Sequence, residues 1–289
     1  MTKLVKIYQE DFENVYELIK SFFPLISKET WKRLFIYQWE RPEDYYGYAI
    51  FDGDKAVGFI ATIFSYRIIK GNKYNFCNLS TWVVKEEYRG KSIAIIFPLL
   101  KLKDYTITVY SANQVASQIF KKCGFKLLSM ARKFSASIQF RKSNLIRNCE
   151  VIYDGDAIKL LNDNELKIYN DHKDFKCRHL AILSNYGYSY LIIKRMVKKL
   201  YKLNFPVADV YYISNKDIFC RHFDEVRINL GWKLKVLGFT ISDTYLKGYY
   251  MPYLIRRPAE ALYRSNILTP FDIDPLYSEL FILEHNGNG

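Results

Sequence analysis

The stretch from Tyr74 to Phe125 constrains the fold more than any other part of this chain. A β-rich run, Tyr74–Val84, leads into Tyr88-Arg89-Gly90-Lys91-Ser92-Ile93-Ala94, and apolar residues then follow a helical face from Ile93 onward. Thr106–Tyr110 is a β-branched strand. Asn113–Lys122 is helical, with Val115, Ile119 and Phe120 on one side and Gly124 as its stop. Strand, turn, helix, strand and helix in that order demand an α/β arrangement. The turn has its own chemistry. A helix N-terminus offers free backbone N–H groups and the positive end of the helix dipole. Gly90 lets the backbone come close to a ligand, Arg89 and Lys91 add charge, and small Ser92 and Ala94 leave room. Such a turn suits a diphosphate.

Upstream, Leu4, Val5 and Ile7 read as a short opening strand. A helix begins after Asp11 and stops at Pro24, and a second is expected from Ser27 to Trp39. Tyr46–Phe51 and Ala56–Ile69 read as strands joined by a hairpin at Asp52-Gly53-Asp54-Lys55, and Gly71-Asn72 marks the next turn. Within residues 85–102 the helical face begins at Ile93, and Pro98 should kink or shorten that helix. The second half, from about residue 141, repeats the α/β theme. Ile158–Tyr169 and Asp217–Leu230 read as helices, and His179–Ser184, Ser189–Met196, Ala208–Ile213 and Lys235–Ile241 as strands. Residues 251–253 read as an irregular loop. Strand end, Asn, helix and Gly-aromatic recur in Tyr110–Phe125 and Tyr212–Trp232, which suggests a degenerate internal repeat.

With 49% hydrophobic and 25% charged residues over 289 positions, the chain has the composition of a folded protein. The net charge of +13 is spread over both halves, with no dense basic tail. It speaks to partners and solubility and not to fold. The five cysteines (Cys77, Cys123, Cys149, Cys177 and Cys220) are odd in number and widely spaced, which argues against a disulfide framework and fits a reducing cytoplasm. The opening MTKLVKIYQEDFENV has acidic residues and no apolar core of a signal peptide, and no apolar run is long enough to span a bilayer. Neither a hydrolase Gly-x-Ser-x-Gly, a zincin His-Glu-x-x-His nor a Walker sequence occurs.

Two motifs in register, Arg89-Gly90-Lys91-Ser92-Ile93-Ala94 and the Asn113, Ala116, Ile119, Phe120, Gly124, Phe125 helix, resemble the GNAT superfamily of acyl-CoA N-acyltransferases over about residues 3–135. The resemblance implies a mixed, mostly antiparallel sheet flanked by helices, with acetyl-CoA or another acyl-CoA as co-substrate. The amides of Gly90, Lys91, Ser92, Ile93 and Ala94, with Arg89, would hold the CoA pyrophosphate. Backbone groups around Val83 and Val84 would hold the pantetheine arm and polarise the thioester carbonyl. Asn113 would touch the cofactor from the other side. An amine would then attack the thioester, which requires it to be neutral.

Two positions depart from the family pattern. Ser92 stands where Gly is usual. Phe120 stands where a Tyr often protonates the leaving thiolate, leaving Tyr110 as a weak substitute at the preceding strand end. No carboxylate lies within Tyr74–Val84, so Asn78 and Ser80 are left to orient a water. A looser resemblance links the chain to a two-part bacterial GNAT group of surface-polysaccharide loci, through Asp171-His172 and the Leu276–Leu280 ending. It points to an amino-sugar or cell-envelope acceptor.

The expected organisation is a GNAT domain over residues 1–140 and a degenerate GNAT-like α/β domain over 141–289, lacking its own cradle. Cys177-x-His179 and Cys220-x-His222 lack the Cys-x-x-Cys spacing common in structural zinc sites, so no metal is expected. Asp171-His172-Lys173-Asp174 reads as a polar turn. The leading function is N-acyl transfer to a small-molecule amine, without nucleic acid or membrane insertion. The alternatives are a non-catalytic acyl-CoA-binding or scaffold protein and an aminoacyl-tRNA-dependent transferase similar to the Fem enzymes.

Overall fold

The computed structural model describes residues 1–137, 148–200, 203–246, 255–257 and 259–283. The boundary expected near residue 140 and the loop expected at 251–253 lie outside them. The strands run in chain order as β1 (Thr2–Ile7), β2 (Gly47–Asp52), β3 (Lys55–Ile69), β4 (Asn72–Val84), β5 (Tyr105–Val109), β6 (Lys126–Ser129) and β7 (Arg132–Ala136). They continue as β8 (Cys149–Tyr153), β9 (Arg178–Ser184), β10 (Gly187–Leu200), β11 (Leu203–Ile213), β12 (Gly238–Ser242), β13 (Ile255–Arg257) and β14 (Glu260–Arg264). The helices are α1 (Phe12–Phe22), α2 (Lys28–Lys32), α3 (Phe97–Leu100), α4 (Gln114–Lys122), α5 (Asp154–Ile158), α6 (Asp163–His172), α7 (Lys216–Arg221), α8 (Phe223–Leu234) and α9 (Glu279–Ile282).

Among the described residues two seven-stranded sheets are built to one plan. The first has the order β1-β2-β3-β4-β5-β14-β6 and the second β8-β9-β10-β11-β12-β7-β13. In each, the first four strands pair antiparallel, the fourth pairs parallel with the fifth, and an antiparallel strand follows. The sixth place is filled out of turn in both. β14, late in the chain, enters the first sheet, and β7, ahead of β8, enters the second. The chain accordingly groups into two compact units, Met1–Leu128 with the segment beginning at Ala261, and Ser129–Glu260. The duplicated, mostly antiparallel sheet flanked by helices agrees with the fold class expected from sequence.

Alternation along β3 builds the first module. Ile60 and Phe64 enter a core with Cys77, Leu79, Ile107 and Phe120, beneath α3 and α4. Phe59 points the other way and stacks on Phe35, which also meets Phe12 of α1. The turns carry the backbone the hairpins require. Gly53 has φ +58°, and Lys70 and Gly71 have φ +51° and +82°, the pair of positive angles that a two-residue hairpin loop needs.

Several expected elements differ. The turn after Val84 runs on as a 3-10 segment, Glu86–Ile95, and the helix expected from Ile93 onward is confined to the short α3. Pro98 sits in the first turn of α3, where its missing N–H costs nothing. The helix expected from Ser27 to Trp39 ends early, with α2 passing into a 3-10 turn at Arg33–Phe35. The helix expected over 158–169 divides into α5 and α6, because Asn162 caps α6 in a reciprocal box with Glu165. Lys235, read as strand, is the left-handed end of α8 (φ +52°).

Candidate functional site

The parting of β4 and β5 organises the site. Their parallel pairing ends at Asn78–Thr108, while β4 continues to Val84, so Leu79 to Val84 have no partner on β5. Just past the parting β4 bulges. Ser80 opposes Ala61 and Val83 opposes Phe59, leaving Thr81 and Trp82 opposite Ile60 alone. Thr81 takes φ +52°, an uncommon conformation for a β-branched residue and one that collects at functional sites. Val83 and Val84, expected to flank the pantetheine arm, lie on this unpaired stretch.

The basic turn is open. Arg89, Gly90 and Lys91 are exposed, Ser92 and Ala94 are half-buried, and Ile93 is exposed. Nothing lies within 4 Å of where a side chain on Gly90 would begin. The local structure is not the opening of an α-helix, however. In a 3-10 run N–H groups turn back on carbonyls three residues earlier, as Tyr88 N does on Lys85 O at 3.0 Å. Tyr88 Oη donates to Asp52 Oδ2 (2.7 Å), which pins the turn to the end of β2. Arg89 pairs with Glu86 at 3.3 Å, and Lys91 Nζ donates to Thr2 Oγ1 at 2.9 Å.

Other expected site residues take part in the local structure. Asn113 Oδ1 accepts from Ala116 N (2.9 Å) and so caps α4. Phe120 is buried against Trp82 and Phe125, with ring centroids 5.3 and 5.0 Å away. The Trp82 Nε1 is buried without a hydrogen-bond partner among the described residues. Asn78 donates to Thr108 O and Oγ1, both at 3.3 Å, and its Oδ1 accepts from Glu279 N at 3.2 Å. Ser80 Oγ lies 3.1 Å from Thr81 Oγ1. Tyr110 Oη donates to Asp274 O (2.7 Å), and burial with the Asp274 carboxylate nearby pushes its hydroxyl well above the ordinary range.

These bonds reveal a residue that motif reading did not supply. Glu279, on α9, is fully buried at the strand parting. Its Oε1 accepts from Ser111 Oγ (2.6 Å), and its Oε2 has no hydrogen-bond partner among the described residues. Burial raises its carboxyl to about 7, against the opposing pull of hydrogen bonds from Ser111, its own backbone and Asn78. The segment carrying it is fastened to the sheet. Arg67 holds Asp274 through both terminal guanidinium nitrogens, Nη1 and Nη2, with Phe76 and Tyr277 against its planar face. Trp39 packs edge-on against Tyr277 at 4.9 Å. The only sequence signal for Glu279 is the Leu276–Leu280 ending.

In the second module the corresponding places are filled. β11 also bulges, at Tyr211, and its parallel pairing with β12 ends at Asp209–Thr240. There Asp209 is held by Thr240 Oγ1 (2.7 Å), Arg132 (3.0 Å) and Lys198 (3.4 Å). The following turn closes on itself, because Asn215 Oδ1 accepts from Asp217 N and Ile218 N. The two Cys-x-His pairs do not converge. Cys177 Sγ meets His179 Nε2 at 3.4 Å, whereas His222 groups with Cys149 and Glu225, their donor atoms within 4.8 Å of one another. Glu225 Oε2 already accepts from Asn148 N, Cys149 N and the Cys149 thiol at 3.0–3.3 Å. His172 is buried in α6, with Nδ1 2.8 Å from Ile168 O. Among the described residues no helix is long and apolar enough to cross a membrane.

Residues 12–96 match the acetyltransferase (GNAT) family. No curated protein matches. Among solved structures, a probable N-acyltransferase of Enterococcus faecalis V583 is similar at TM-score 0.60 and 12% identity, over 94% of this chain and 74% of that one. A GCN5-related N-acetyltransferase from Anabaena variabilis is similar at 0.60 and 12%, over 91% and 72%. A fungal multi-domain β-N-acetylglucosaminidase with a GCN5-related glucosamine N-acetyltransferase region is similar at 0.54 and 12%, over 91% and 38%. At these identities the likeness is one of fold. The match to the acetyltransferase (GNAT) family is thus confined to residues 12–96, and the chain shares its fold with GCN5-related N-acetyltransferases of known structure.

Proposed function

We propose that the first module moves an acetyl or other acyl group from acyl-CoA to an amine. The observation that carries this reading is the unpaired edge of β4 beyond Asn78, bulged at Thr81, with the open basic turn at Gly90 following it. An unpaired strand edge hydrogen-bonds an extended partner such as a pantetheine arm, and a basic turn attracts its diphosphate. The residues present fit acyl-CoA as co-substrate, with Val83 and Val84 along the arm and Arg89 to Ala94 at the phosphates. The second module, its turn closed by Asn215 and its strand parting filled by the Asp209 ion pairs, serves the fold or the acceptor side.

For the acceptor we propose an amino sugar or related cell-envelope precursor. The Leu276–Leu280 ending supports this class, as does the fold likeness to the fungal protein with its glucosamine N-acetyltransferase region. A non-catalytic acyl-CoA-binding role is the second reading. Phe120 favours it, since its ring has no proton to give a leaving thiolate.

Thermal unfolding with acetyl-CoA tests the first claim. At 100 times its dissociation constant a ligand adds about 2.7 kcal/mol, or several degrees in Tm for a module of this size. Release of CoA thiol with glucosamine and simple amines then separates an enzyme from a binding module. Unchanged Tm with acetyl-CoA would refute both readings.

A further inference from the structure

We propose that Glu279, brought to the parting of β4 and β5 by the returning C-terminal segment, takes the proton from the acceptor amine. This assignment rests on the acyltransferase reading and adds the base that β4 itself lacks. Thioester attack needs a free amine lone pair, whereas an ordinary alkylamine is protonated near neutral pH. Within Tyr74–Val84 there is no carboxylate to take that proton.

Three observations single out Glu279. Its backbone N–H donates to Asn78, the last residue of β4 paired with β5, so it stands where the unpaired edge begins. Its Oε1 is oriented by Ser111 Oγ, just past the end of β5. Its Oε2 is buried and has no hydrogen-bond partner among the described residues, an arrangement costly for a carboxylate serving only to hold structure. Tyr110, just past the end of β5, faces the charges of Glu279 and of the Arg67–Asp274 pair. Burial, opposed by hydrogen bonds, sets the carboxyl near 7, where a base shared between its two forms works best.

The proton balance is simple. Glu279 carboxylate accepts one proton from the ammonium, and the freed nitrogen pair attacks the thioester carbonyl carbon. The C–N bond forms, the C–S bond breaks, and the sulfur leaves with the bonding electrons. Of the three ammonium protons, one remains on the amide, one passes through Glu279 to solvent, and one ends on the CoA sulfur.

The test uses the full chain with acetyl-CoA and a panel of glucosamine, ethanolamine and spermidine, followed by CoA thiol release from pH 5.5 to 9. For Glu279→Gln we expect a loss in kcat of on the order of 10²-fold or more. The limb that rises through about pH 7 should vanish, while stabilisation by acetyl-CoA is kept. Ser111→Ala keeps the carboxylate but removes a bond that favours its charged form, so its limb should move to higher pH. That shift tests the assignment even if the Gln variant folds poorly. Natural rates and limbs in both variants would overturn it. Binding of acetyl-CoA by the natural chain without turnover on any amine would also overturn it, leaving the binding reading. Failure of the natural chain to bind acetyl-CoA would instead remove the acyltransferase reading beneath it.

Discussion

A carboxyl group with no exposed surface resists ionisation, and at Glu279 that resistance has a thermodynamic consequence. Its folded value of about 7 lies above the reference of 4.5. Because the folded value is the higher one, its contribution to stability is complete below about pH 4.5 and is lost as pH rises through 7. The shift corresponds to on the order of 3 kcal/mol. Glu279→Gln does not titrate, so urea unfolding should show the variant gaining on the natural chain between pH 5 and pH 8. A gap that stays constant across this range would mean that Glu279 is solvated in solution. Phe120 shows the opposite balance in the core of the first module. It secures α4 against Trp82 in a tightly packed core, where a hydroxyl would need a partner.

Among the elements, α4 illustrates how a motif residue serves structure directly. Asn113 satisfies an N–H that the first turn of α4 leaves free, so Asn113→Ala should lower unfolding free energy by about 1 kcal/mol. Chemical denaturation without any CoA reads this effect, and a variant as stable as the natural chain would show the cap to be idle. The same Asn, with Gly124 eleven residues later at φ +86°, made this helix legible from sequence. The hairpins at Gly53 and Gly71 were legible for the same reason, since local backbone demands leave local marks. The run after Val84 was harder. Its apolar spacing reads as helix, yet Gly90 and Pro98 on either side of Ile93–Ile96 weaken a continuous α-helix, and a 3-10 run forms instead. The out-of-turn strands β7 and β14 were not legible at all. Each has five residues and finds its partners by long-range pairing, which hydrophobic alternation does not encode. Glu279 was missed with them, because its role depends on where β14 and the segment after it return.

For the molecule as a whole, the exchange of sixth strands sets what can fold alone. A fragment ending at residue 140 contains the basic turn at Gly90 but lacks β14, which lies between β5 and β6 in the sheet. Its β5 edge would be open, and β6 would have no neighbour to pair with. We expect this fragment to unfold without a cooperative transition and to bind hydrophobic dyes, whereas the full chain unfolds cooperatively. A sharp calorimetric transition in the fragment would show β14 to be dispensable. Vectorial synthesis meets the same exchange. Val109 emerges from the ribosome about 150 residues ahead of its partner Leu262, a delay of roughly 8–30 s at ordinary elongation rates. Throughout that interval the nascent first sheet waits with an unfilled slot, a natural client for chaperones that shield bare β-edges until translation ends.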